Sequence, residues 1–135
     1  MGFLDDKQKE RITEFVKFVK GELELKSAPK VVLQNGKNQL KTTASYDYTK
    51  PEKIIRVNAK NRMTVDIMRS IAHEMVHHKQ YEQGRLEVKP PDIDGEIEDE
   101  ANAVAGQLVK KYIKTKENGK TLFESVDYFG FKIIL

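Results

Sequence analysis

Apolar residues at Ile12, Phe15, Val16, Val19 and Leu23 keep the i, i+3, i+4, i+7 spacing of a helix with one buried face. The spacing predicts an amphipathic N-terminal helix from about Asp6 to Glu24, a packing element with lysines on its outer side. The rhythm then shortens. Val31-Val32-Leu33, the Asn35-Gly36 pair and the run from Leu40 to Tyr46 read as a hairpin, because Asn-Gly accepts the positive φ of a two-residue turn. Lys53-Ile54-Ile55-Arg56-Val57-Asn58 reads as a third strand. Beyond it no Gly or Pro interrupts residues 64 to 83, and Met68, Ile71, Ala72 and Met75 restore the helical period, with Thr64 as expected N-cap and Asp66 in the first turn. A loop holding Gly84, Pro90 and Pro91 leads to a third amphipathic helix, about Gly95 to Lys116, striped by Ala101, Val104, Ala105, Leu108, Val109 and Tyr112. The tail from Thr121 to Leu135 alternates less cleanly, and its apolar end, from Phe129, suits a last strand or a docked tail. The expected fold class is α+β: an N-terminal helix, a short mixed sheet and two further helices in a single domain spanning 1–135.

Composition narrows the function classes. The 39% apolar content suffices for one modest core, and zero cysteines remove disulfides and cysteine-held structural zinc. No apolar run is long enough to span a bilayer and no secretion signal opens the chain, so a soluble, cytoplasmic protein without a membrane partner is expected. The pI near 9.0 raises nucleic-acid binding as a possibility. A formal net charge of only +3, with scattered lysines and no interleaved aromatics, reads instead as a solvated face, and nucleic acid is not the expected partner.

All three histidines lie in His73-Glu74-Met75-Val76-His77-His78, which contains the H-E-x-x-H spacing of zinc-dependent hydrolases. Residues i and i+4 of a helix sit one above the other, so His73 and His77 can grip one ion, turned roughly 140° to 180° from the apolar stripe. Glu74, beside such an ion, is placed to take a proton from a metal-activated water. His78 is rotated about 100° from His77, and a supporting or solvent-facing role is its default.

A catalytic zinc site needs a third protein ligand. Gln80 and Gln83 stand where H-E-x-x-H-x-x-G-x-x-H would place its glycine and third histidine, so the ligand has to be a carboxylate. Residues 92 to 100 hold six acids in nine positions without a Lys or Arg. Asp92-x-Asp94-Gly95 puts its glycine too early for an EF-hand loop, which weakens calcium as the ion. Glu98 lies about 60° from the centre of the third helix's stripe, Glu100 about 100° to the other side, and Asp99 points outward, so Glu98 is the best third ligand. Glu96 and Asp99 read as a solvated helix start. Asn102, one turn after Glu98, is placed to hydrogen-bond its carboxylate or a ligating imidazole.

The combination His73-Glu74-x-x-His77 and Glu98-x-x-Ala101-Asn102-x-x-Ala105, with twenty residues between His77 and Glu98, resembles the gluzincin metallopeptidases. The Glu-x-x-Ala-Asn form is similar to that of small stand-alone members, the minigluzincins and the ImmA/IrrE-type peptidases. The resemblance covers roughly residues 50 to 112. It implies a zincin-like domain with zinc at His73, His77 and Glu98, Glu74 as general base, a peptide or protein substrate, and an edge strand pairing with that substrate, for which 53–58 is in the right place. Larger gluzincins add a downstream histidine or tyrosine that stabilises the oxyanion, and no histidine follows His78 here. Tyr81, one turn beyond His77, is the first candidate for that role, with Tyr112 and Tyr128 as less constrained alternatives. The other reading kept open is a non-catalytic metal-binding protein that works by interaction.

Overall fold

The computed structural model describes residues 4–35, 43–86 and 95–119, together with the backbone of two short strands at 127–128 and 131–132. It is a small α+β domain whose elements follow in the order α1 (Asp6–Leu23), β1 (Lys30–Gln34), β2 (Ala44–Asp47), β3 (Ile54–Asn58), α2 (Thr64–Glu82), α3 (Glu96–Gly119), β4 (Asp127–Tyr128) and β5 (Phe131–Lys132).

Helix α1 opens on a capping box. Asp5 Oδ1 accepts from the Gln8 N–H at 2.8 Å and Gln8 Oε1 accepts from the Asp5 N–H at 2.9 Å, satisfying two donors that the first turn would otherwise leave free. Its buried face is Ile12, Phe15 and Val19. Phe15 and Phe18 pack on Tyr112 of α3 with ring centroids 5.2 and 5.3 Å away, and the Tyr112 hydroxyl donates to Glu14 Oε1 at 2.7 Å. Helix α2 starts one residue earlier than expected from Thr64 as its N-cap. Met63 is the cap and makes no side-chain cap bond, while Thr64 lies inside the helix and accepts a hydrogen bond from Gln8 Nε2 at 3.1 Å. Arg62 fastens this start by donating to the carbonyls of Asn58 and Asp66 and to Ser70 Oγ.

The sheet order is β1-β3-β2, with β1 parallel and β2 antiparallel to β3. The hairpin expected between the first two strands is therefore absent. Lys30 to Gln34 pair in register with Ile54 to Asn58, and the Lys30 N–H to Lys53 carbonyl and Ala59 N–H to Gln34 carbonyl bonds lengthen that ladder at both ends. Nor is the 53–58 run an edge. It carries Ile55 and Val57, both fully buried, and a strand with that apolar content gains most by pairing on both sides, which leaves the edges to β1 and β2. Gly36 of the expected turn, and residues 40–42, lie outside the described residues. So do Pro90 and Pro91 and, apart from the separate β4-β5 pair, the tail from 120 onward.

Helix α2 is the centre of the domain. It packs on α3, on α1 and on strands β2 and β3, and Ile67, Met68, Ile71, Ala72, Met75 and Val76 are all buried. It also buries the polar side chains Glu74, His77, His78 and Gln80, whereas Asp66 and Arg69 stay exposed. No described helix is long and apolar enough to cross a membrane.

Candidate metal centre

Three side chains from two helices converge. His73 and His77 stand one turn apart on α2 with ring centroids 4.7 Å apart, and Glu98 reaches them from the first turn of α3. Glu98 Oε1 lies 3.1 Å from His73 Nε2, and Glu98 Oε2 lies 2.9 Å from His77 Nε2. The helices approach closely enough because the side chains one and two turns past Glu98 are Ala101 and Ala105, both buried and small.

The donor set is chemically suited to a cation. Burial, and then the neighbouring His77, hold the His73 imidazole below its ordinary pKa against the pull of Glu98 and Asn102, which favours the neutral form that ligates metals. Bonds of about 2.0–2.2 Å in a tetrahedron place ligand atoms roughly 3.4 Å apart. Each imidazole Nε2 meets its own Glu98 oxygen at 3.1 or 2.9 Å, somewhat inside that edge, and one ligand atom from each of the three residues lies within 4.8 Å of the others. His73, His77 and Glu98 thus form a group able to hold a metal ion, the only such group of His, Cys, Asp and Glu among the described residues.

Glu74 lies on the same turn of α2, only 8% exposed. Burial pushes its carboxyl up to about 7, with His77 pulling it down and Glu98 adding a further push upward. Asn102 hydrogen-bonds the His73 side chain. Of the neighbouring acids, Glu96 and Asp99 are exposed, and Asp92 and Asp94 lie outside the described residues. Glu100 is half-buried and turned to different partners, Gln80 Nε2 at 2.7 Å and Arg85 Nη1 at 2.9 Å.

Tyr81 is grouped elsewhere. Its ring packs on Tyr48 at 5.5 Å and His78 at 6.2 Å, with Lys53 Nζ 5.0 Å from its centroid, so its contacts lie toward the sheet. Tyr112 gives its hydroxyl proton to Glu14, and the side chain of Tyr128 lies outside the described residues. His78 is not solvent-facing. It is 1% exposed, with Nδ1 against the Tyr46 hydroxyl at 2.5 Å and Nε2 near Ser27 Oγ, the Ser27 carbonyl and Glu82 Oε2. Glu82 also accepts the Lys26 and Ser27 N–H groups, so this second polar cluster ties the α1–β1 link and β2 to the end of α2.

Gln80 is the residue that sequence reasoning passed over. Read only as a missing glycine, it is in fact fully buried, 2.7 Å from His77 Nδ1 through Oε1. The signal was its position three residues after His77, where a long side chain on the same helix face reaches back to the ring.

The sequence matches no protein-family model, and no curated protein is significantly similar to it. Fold and site together define a small α+β domain with a candidate metal centre between two packed helices.

Proposed function

We propose that the protein is a zinc-dependent peptidase of gluzincin type, with His73, His77 and Glu98 holding the ion and Glu74 as general base. The observation that carries this reading is the convergence of both Nε2 atoms and the Glu98 carboxylate from separate helices, with the buried Glu74 on the turn between the histidines. A zinc ion bound there supplies polarisation of the scissile carbonyl and a water of lowered pKa. Glu74, buried beside the two histidines, accepts a proton from the attacking water on its carboxylate and returns it to the leaving amine. Asn102 steadies the ring of His73. Strand β2 lies at one end of the three-stranded sheet and packs on α2, and we assign its outer side to an extended peptide substrate.

One observation favours the second reading, a metal-binding protein without turnover: Tyr112 donates its hydroxyl to Glu14 and Tyr81 packs toward the sheet, leaving neither tyrosine assigned to an oxyanion. Metal analysis of the purified protein, with peptide cleavage by wild type and Glu74→Gln, separates the two. Stoichiometric zinc with cleavage that falls by roughly 10² to 10⁴ in the variant supports the peptidase. Zinc without cleavage of a diverse peptide library by either protein favours the second reading, and wild type without bound metal refutes both.

A further inference from the structure

His77 is held from behind by an amide whose orientation is fixed. Gln80 Nε2 donates to the Ile97 carbonyl at 3.1 Å and to Glu100 Oε1 at 2.7 Å, and both of those oxygens accept. The amide nitrogen therefore faces α3, and Gln80 Oε1 faces His77 Nδ1 at 2.7 Å. An amide oxygen accepts and cannot donate, so Nδ1 carries the hydrogen of this bond. In a neutral imidazole the free lone pair is then on Nε2, the atom 2.9 Å from Glu98 Oε2 inside the cluster. A flipped amide would set an N–H against Nδ1, move the ring hydrogen to Nε2 and close the ligand position. Glu100 opposes that flip and is itself held by Arg85 Nη1 at 2.9 Å. Gln80 is 0% exposed, so water does not compete for these bonds.

We propose that Gln80 is a positioning residue of the metal centre: it locks His77 in the Nδ1–H tautomer with Nε2 turned to the ion, and Glu100 keeps the Gln80 amide from flipping. The inference rests on the reading that His73, His77 and Glu98 bind a metal. Helix α3 thereby acts on the site twice, through Glu98 as a ligand and through Glu100 as the anchor of the residue behind a ligand.

The test is zinc titration of the metal-free protein against a competing chelator for wild type, Gln80→Leu, and the double variant Gln80→Glu with Glu100→Gln. It is joined by ¹⁵N spectra of the imidazole nitrogens of metal-free wild type at about pH 8, above the ordinary histidine range. The spectra should place the His77 hydrogen on Nδ1. Gln80→Leu should bind zinc about 10- to 100-fold more weakly, the usual effect of losing a ligand's outer partner. The double variant gives Nδ1–H an acceptor again with a donor behind it but leaves the Ile97 carbonyl without its donor, and should recover part of the loss. Wild-type affinity in Gln80→Leu, or a wild-type His77 hydrogen on Nε2, would overturn the inference. Should Gln80→Leu fail to fold, the wild-type tautomer decides: a His77 hydrogen on Nδ1 supports the inference and one on Nε2 overturns it. Wild type that binds no zinc defeats the metal reading itself, whereas zinc-binding wild type with an equally tight Gln80→Leu defeats only this step.

Discussion

Replacing Glu74 with glutamine should stabilise the metal-free protein, and by an amount that depends on pH. Glu74 is 8% exposed, and burial together with Glu98 outweighs the pull of His77 to move its carboxyl from an ordinary 4.5 to about 7. Below pH 4.5 the group is protonated in both the folded and the unfolded chain and carries no penalty. Between 4.5 and about 7 the unfolded chain releases the proton and the folded one keeps it, so the folded state loses about 1.4 kcal/mol per pH unit. Above that window both forms are ionised and the loss is constant at about 3 kcal/mol, little screened at so low an exposure. Glutamine never ionises. Urea denaturation of chelator-treated wild type and Glu74→Gln should therefore give similar midpoints near the acid end of the window. By about pH 8 the variant's midpoint should be higher by roughly 1–3 M, at slopes of about 1–3 kcal/mol per molar. Saturating zinc should narrow the gap, because a nearby cation favours the ionised carboxylate. A gap that stays flat across this pH range, or a wild type more stable than the variant at pH 8, would refute the account of Glu74 as a carboxyl destabilised by burial.

Three further outcomes follow from the same geometry. Glu98→Ala removes the one side chain that α3 contributes to the candidate metal group, and on the proposed zinc reading the purified variant should lose stoichiometric zinc on dialysis; retention of wild-type zinc affinity would remove Glu98 from the site. His78→Leu leaves the Tyr46 hydroxyl and Glu82 without their buried partner and should cost about 2–4 kcal/mol in urea denaturation while zinc content stays unchanged, since the ring sits in the polar cluster on the sheet side. On the peptidase reading proposed above, Tyr81→Phe keeps the ring contacts to Tyr48, His78 and Lys53 and should lower kcat by less than about tenfold; a fall of 10² or more would make its hydroxyl an oxyanion donor.

The helices and the converging trio were legible in the sequence because each rests on local periodicity. Residues four apart on α2 face one way whatever the rest of the chain does, and the apolar stripe of α3 fixes the phase of Glu98 against it. The strand order was not legible. The Asn35-Gly36 signal concerns neighbours in sequence, whereas the pairing of Lys30–Gln34 with Ile54–Asn58 is decided by which strand is buried at the centre. A deeper limit lies in α2 itself. Its apolar positions trace one stripe, and the rest of its circumference, with Glu74, His77, His78 and Gln80, has the polarity of a solvated face. All four are nonetheless buried, because α2 is covered by α3 on one side and by β2 and β3 on another, and much of that polarity is matched across the contacts. His77 meets Glu98 and Gln80, and His78 meets Tyr46, Ser27 and Glu82. Polarity matched by a partner and polarity matched by water look the same in a single chain. Adjacent histidines can thus belong to two separate clusters, one open to a cation and one closed by the protein's own hydroxyls and carboxylate, and only the identity of the element packed against each ring distinguishes them.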